Sequence, residues 1–194
     1  MREHLEAYFA EVKGTIDYLP NEKIEEIINL MLEAYKQQKY IFVFGNGGSG
    51  ATASHFAGDM NKGVCFGRER RSKVICLNDN VATMLAYAND VSYSDIFLEQ
   101  LKNFIQPGDL VLGISGSGNS QNVVKAIEYA NEKGAVTIGL TGFDGGELTN
   151  IANTVLNVPT DDMQKIEDVH LMICHVIMQA MIRALGEVKQ VTLV

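Results

Sequence analysis

Leu110-Val111-Leu112-Gly113-Ile114-Ser115-Gly116-Ser117-Gly118-Asn119-Ser120 is the stretch whose reading decides the fold. An apolar run opens into a loop of glycines and serines, and a helical pattern follows from Gln121 to Lys133. Buried strand, loop and helix in that order make an anion seat. Gly116 and Gly118 let the backbone come close, N–H groups at the helix start point at the anion, and the hydroxyls of Ser115, Ser117 and Ser120 add donors. The plainer alternative is a solvated loop with Ser120 as helix N-cap. A simple turn, however, has no need of three hydroxyls and two glycines in so short a run, so the stretch reads as a phosphate clamp.

The same grammar recurs earlier. Tyr40-Ile41-Phe42-Val43-Phe44 reads as a buried strand, Gly45-Asn46-Gly47-Gly48-Ser49-Gly50 as its loop, and a helix follows from about Ala51 to Lys62. Further strands are expected at Lys73 to Leu77, Ala135 to Leu140 and Thr154 to Val158, with short helical pieces across 80–104 and helices at about 120–133 and 146–152. Alternating apolar strands and helices argue for an α/β fold, a parallel sheet covered on both faces. Five strands in this rhythm predict the doubly wound, flavodoxin-like order 2-1-3-4-5, which sets the loops after strands one and three side by side at the switch point where ligands bind. Both are the glycine and serine loops.

Outside this core, apolar residues at spacings of three and four predict two N-terminal helices over about 3–18 and 21–37. Their apolar faces are expected to pack on the sheet, on another copy of the chain, or on both. A basic segment, Gly67-Arg68-Glu69-Arg70-Arg71, precedes the second strand, a long helix spans about 163–185, and Val188 to Val194 reads as a frayed tail. The expected organisation is one domain over 1–194: N-terminal helices about 3–37, sheet core about 40–158, C-terminal helix about 163–185.

The composition narrows the partners. The 24 acidic and 16 basic residues of the 194-residue chain give a formal net charge of −8, which repels polyanions and argues against nucleic-acid and anionic-membrane binding. A small anion must then be held by local donors. Cys65, Cys76 and Cys174 are widely spaced, with no Cys-x-x-Cys pair, so neither a disulfide framework nor a thiolate zinc site is suggested, and a cytoplasmic location is expected. The N-terminus lacks the apolar core of a signal peptide. The most apolar helix carries His170, His175 and Arg183 and reads as buried in protein, not as a membrane span.

Gly45, Gly47 and Gly50 also match the dinucleotide fingerprint G-x-G-x-x-G. Against that reading, the next acidic residue at a strand end is Asp79, about thirty residues on where the fingerprint expects about twenty, and the serine loop has no role in it. His55 and Asp59, four apart, share a helix face. Their plain reading is a surface ion pair; imidazole plus carboxylate is also a two-point metal chelate or acid/base pair. On the last helix Glu167, His170 and His175 lie in an apolar setting; Glu167 with His170 makes a lone Glu-x-x-His, and a buried, internally satisfied histidine is the default for each imidazole.

Taken together, Gly45-Asn46-Gly47-Gly48-Ser49, His55-Phe56-Ala57, Asn89-Asp90, Ser115 to Ser120, Leu140-Thr141-Gly142-Phe143-Asp144-Gly145-Gly146 and Ile166-Glu167-Asp168-Val169-His170, with His175, resemble the phosphoheptose isomerases, a family of the sugar isomerase (SIS) domain group. The resemblance covers about residues 1–185. It implies a homotetramer that converts sedoheptulose 7-phosphate to D-glycero-D-manno-heptose 7-phosphate, with one zinc per subunit. Position by position, it implies that Asn46, Gly47, Gly48, Asn89, Asp90, Ser115, Gly116, Ser117 and Ser120 contact the sugar phosphate. His55, Asp59, Glu167 and His175 fall on the metal positions, with Asp59, Glu167 and His175 as the catalytic groups.

Two positions depart from the family pattern. Asp59 stands where the family has a glutamate, and Glu167 where it has a glutamine. Both can still bind zinc through oxygen, and either carboxylate can move the proton of an enediol isomerisation while His175 handles an oxygen proton. Eight positions along one helix separate Glu167 from His175 by about 12 Å, so the resemblance further implies that each site draws on more than one chain. The replication-initiator-associating proteins are similar throughout yet are adaptors, which sets a non-catalytic, regulatory sugar-phosphate binder as the alternative.

Overall fold

The computed structural model describes residues 1–186; the tail expected at Val188 to Val194 lies outside the described residues. Helices α1 (Arg2–Asp17) and α2 (Asn21–Gln37) lead into β1 (Tyr40–Gly45) and α3 (Gly47–Gly58). A π turn (Asp59–Val64), β2 (Lys73–Cys76), α4 (Val81–Asp90), a 3₁₀ turn (Tyr93–Asp95) and α5 (Ile96–Leu101) follow. Then come β3 (Leu110–Ile114), α6 (Gln121–Glu132), β4 (Val136–Thr141), α7 (Leu148–Ile151), β5 (Thr154–Asn157) and α8 (Met163–Ala184).

The strands form one parallel sheet in the order β2-β1-β3-β4-β5, as expected. Both faces are covered, which is why the strands read as unbroken apolar runs. Along β1, Ile41 and Val43 join the core built with α2, α3 and α8. Phe42 and Phe44 join the opposite core with α5 and α6, where Phe44 stacks on Phe97 at 4.8 Å between ring centroids.

The helix after β1 differs from its expected form at both ends. The helix expected from about Ala51 begins at Gly47, because Gly47 takes the left-handed conformation (φ 52) and turns the chain from strand to helix in a single residue. The same helix passes at Asp59 into the six-residue π turn. The basic segment is spent on helix ends. Arg68 donates to the carbonyls of Leu185 and Gly186 beyond α8, Arg70 to Lys36 O at the end of α2, and Lys73 to Gln38 O. Cations there answer both the unpaired carbonyls and the helix dipole.

The N-terminal pair divides its roles. α2 buries Ile27 and Met31 against the sheet, whereas α1 leaves Leu5 50% and Phe9 68% exposed. α1 is tied to α8 by polar contacts instead: Tyr8 OH donates to Asp168 Oδ2 at 2.6 Å, and Lys165, fixed by Asp162, also pairs with Glu11. Among the described residues no helix is long and apolar enough to cross a membrane.

His170 sits in the core of α8, 1% exposed. Its Nε2 lies 3.0 Å from Thr141 O, which can only accept, so Nε2 carries the hydrogen, and the buried Nδ1 has no partner among the described residues. Burial pushes this imidazole down to about 4 from 6.5. The native state therefore holds a neutral ring that the unfolded chain protonates below about 6.5. Stability is full above that value and falls as pH drops through the window towards 4, by up to about 3 kcal/mol. Urea unfolding of wild type and His170→Gln at pH 7 and pH 4.5 should show a distinctly shallower pH loss in the variant; equal losses would remove His170 from the acid response.

Candidate active site

Gly45 and Ile114 are register partners on adjacent strands, so the turns after β1 and β3 leave the sheet together. The β3 turn is tight. Gly118 N donates to Ser115 O at 2.9 Å, Gly118 adopts φ 66, and a Cβ there would collide with Gly145 O. The segment Gly142 to Leu148 braces it from behind: Gly142 N donates to Gly116 O at 2.8 Å, Leu148 N to Gly118 O at 3.1 Å, and Glu147 N to Asn119 Oδ1 at 2.9 Å. That motif is a buttress.

Between the two turns lies a cavity of about 250 Å³ lined by Asn46, Gly47, Gly48, Ser49, Ile114, Ser115, Gly116, Ser117, Ser120, Met163 and Glu167. The N-termini of α3 and α6 both abut it. Neither is closed by its own cap: Asn46 and Ser120 stand at the N-cap positions without a side-chain bond to the helix. Ser120, the cap of the plainer reading, instead receives the Ser115 hydroxyl at 3.2 Å. By contrast Asn80 caps α4 and Asp162 caps α8. Unspent N–H groups at two helix starts, with serine hydroxyls beside them, suit an anion without any cation nearby. Asn89 and Asp90 do not line this cavity; they end α4 in the open, Asn89 Nδ2 bonded to Asp90 Oδ1 at 2.7 Å.

A second cluster forms where α3 packs on α8. His55 Nε2 and His175 Nε2 are 2.9 Å apart, and Asp59 Oδ2 lies 3.4 Å from the first and 3.7 Å from the second. The three donor atoms lie within 4.8 Å of one another. Among the described residues Asp59 Oδ2 is buried without a hydrogen-bond partner. Two imidazole nitrogens and an orphaned carboxylate oxygen facing one point fit a divalent cation, and this donor set suits zinc. Cys174, the residue before His175, is buried among the apolar residues of the core, and its sulfur is not among the donor atoms that converge here.

Glu167 does not belong to this trio. α8 is continuous from Met163 to Ala184, and Glu167 projects into the first cavity, so close over Gly48 that a Cβ there would lie 2.5 Å from its Oε1. A carboxylate over the start of α3 is favoured by the helix dipole. His175 is 42% exposed at its side chain, unlike the buried histidine that its apolar neighbours suggested.

Three features were missed from sequence. Asn122 and Tyr93 both reach Asn46, and Met163 covers Gly116. Asn122 alone left a signal, since it shares the buried helical face of Ala126 and Ala130, where a polar residue needs a partner.

Residues 7–142 match the SIS domain family. The chain is 37% identical over 156 residues to a phosphoheptose isomerase of Clostridium acetobutylicum, covering 80% of this chain and 79% of the relative. It is 41% identical over 155 residues to that of Citrifermentans bemidjiense, covering 79% and 80%. Among solved structures, a phosphoheptose isomerase from Neisseria gonorrhoeae superposes with a TM-score of 0.85 at 30% identity, covering 93% of this chain and 97% of that one.

The histidine and aspartate cluster makes a direct prediction. Purified protein should carry about one zinc per chain by elemental analysis, and His55→Ala should lose the metal while keeping its circular dichroism. Wild-type protein that stays metal-free after zinc loading would reduce the trio to an ordinary polar contact.

Proposed function

This chain belongs to the phosphoheptose isomerase family of SIS-domain proteins, and we propose that it interconverts sedoheptulose 7-phosphate and D-glycero-D-manno-heptose 7-phosphate. The observation that carries the reading is the pairing of an anion seat, between the α3 and α6 N-termini, with a separate His55, Asp59 and His175 cluster on α3 and α8. A ketose 7-phosphate has its phosphate and its carbonyl at opposite ends, and these two places answer to the two ends. Ser115, Ser117 and Ser120 hold the phosphate, with backbone N–H groups supplying the positive potential.

His55, Asp59 and His175 would hold zinc, which when bound would polarise the substrate carbonyl. A carboxylate, Asp59 or Glu167, takes a proton from C1 of the ketose. The electron pair left behind forms the C1=C2 bond of an enediol as the C2 oxygen gains a proton. Return of the proton to C2, with loss of one from the C1 oxygen, gives the aldose. His175 is the candidate for the oxygen protons, through the ring nitrogen that its metal-facing Nε2 leaves free.

Glu167 serves the account best if the cavity it lines meets the trio of a neighbouring copy, in a homotetramer whose sites are shared. Support comes from the distance of Glu167 from the trio and from apolar surface awaiting cover. The exposed Leu5 and Phe9 of α1 are joined by Met172 and Val176 of α8, which line a groove of about 370 Å³ with Ile16, Ile24 and Ile28. A closed symmetric assembly buries such a face.

A coupled assay with sedoheptulose 7-phosphate should show turnover that is lost with chelator. Removing a proton-transfer group, as in Asp59→Ala or Glu167→Ala, should cost about 10²–10⁴-fold. Mixed oligomers of Glu167→Ala and His175→Ala chains should recover part of the activity. Tight binding without turnover would return the chain to the regulatory alternative, and mixtures as inactive as each parent, despite proven subunit exchange, would end the shared-site reading.

A further inference from the structure

Asn46 stands at the N-cap of α3 with extended backbone (φ −107, ψ 150), the residue type and conformation that ordinarily close a helix start. Its side chain turns away. Asn46 Nδ2 donates to Asn122 Oδ1 at 2.8 Å, Asn122 Nδ2 donates to Asn46 Oδ1 at 2.8 Å, and Tyr93 OH donates to the same Oδ1 at 2.9 Å. Asn122 is 2% exposed on the first turn of α6, so the pair clasps the β1 turn to the start of α6.

An amide side chain offers two N–H donors and two acceptor sites. Both acceptor sites of Asn46 are filled and one N–H is used, which leaves one N–H on a residue that lines the cavity. We propose that Asn122, seconded by Tyr93, is a positioning residue for the isomerase: it holds Asn46 with its last N–H available to the sugar phosphate, and keeps Asn46 from capping α3. The proposal rests on reading this cavity as the sugar-phosphate site.

The consequence of losing the clasp follows from capping preference. Freed from Asn122, the Asn46 amide can rotate onto the N–H groups of α3 and compete with the ligand for them. Affinity falls while the proton-transfer groups stay in place, so KM rises and kcat holds. A clasp that merely braced the fold would act otherwise: the active fraction and thermal stability would drop at unchanged KM.

The test is a double-mutant cycle. Wild type, Asn46→Ala, Asn122→Ala and the double variant are titrated with sedoheptulose 7-phosphate and assayed for KM and kcat, with circular dichroism on each. Asn122→Ala should raise Kd and KM about tenfold, the worth of one hydrogen bond to a charged ligand. The double variant should be no weaker than Asn46→Ala, because Asn122 acts through Asn46. Unchanged KM in a folded Asn122→Ala, or effects that simply add, would overturn the proposal while leaving the isomerase reading intact. Wild type that binds no sedoheptulose 7-phosphate would overturn both. Should Asn122→Ala fail to fold, Tyr93→Phe decides, since Tyr93 is 60% exposed and its hydroxyl can be removed without opening the core. A KM raised several-fold supports the clasp, and an unchanged KM overturns it.

Discussion

Gly45 opposite Ile114 is the constraint on which the rest of the structure depends. Because β1 and β3 are adjacent and parallel, their C-terminal turns emerge together, and each turn starts a helix. Two helix N-termini thus converge on one space, each contributing partial positive charge and unspent N–H groups. A chain of net charge −8 can in this way hold an anion without a basic side chain in the cavity wall. The caps that would ordinarily quench those N–H groups are engaged elsewhere, Ser120 with Ser115 and Asn46 with Asn122.

The helix that begins at this seat also carries the second cluster. From Gly47, α3 runs on to His55 and then to Asp59, where it widens into a π turn against α8. π turns occur often at functional sites because the extra residue redirects side chains without ending the helix. Here the turn begins at the carboxylate that meets both imidazoles. α8 has two duties along its length: Glu167 over the anion seat near its start, and His175 at the trio two turns later. His170 between them faces inward, neutral and bonded to Thr141 O.

The topology was legible because its determinants are local and redundant: strands rich in apolar residues, with glycines closing β1, β3 and β4, and helical spacing between. The start of α3 was misplaced because four residues rich in glycine read as loop, whereas Gly47 alone makes the turn and the next residues, packed too tightly for side chains at Gly48 and Gly50, already coil. The serines of the cavity were legible from chemistry and position. Asn89 and Asp90 rested on resemblance alone, and the structure leaves them off the cavity wall. For His55 and Asp59 the spacing suggested a chelate; His175 was expected beside them by resemblance alone, and the packing of α8 on α3 brings it there. The Asn46 and Asn122 clasp joins residues 76 positions apart, a contact no local pattern encodes.

The central claim is that the space between the two helix starts is a phosphate seat. It is tested most directly by calorimetric titration of wild type and Ser117→Ala with sedoheptulose 7-phosphate and with unphosphorylated sedoheptulose. Wild type should bind the phosphorylated sugar far more tightly. Ser117→Ala should lose about 10- to 100-fold of that affinity, the range for a hydrogen bond to a charged group, while its weak binding of the unphosphorylated sugar stays unchanged. Equal affinity of wild type for the two sugars, or a Ser117→Ala variant as tight as wild type, would contradict the account.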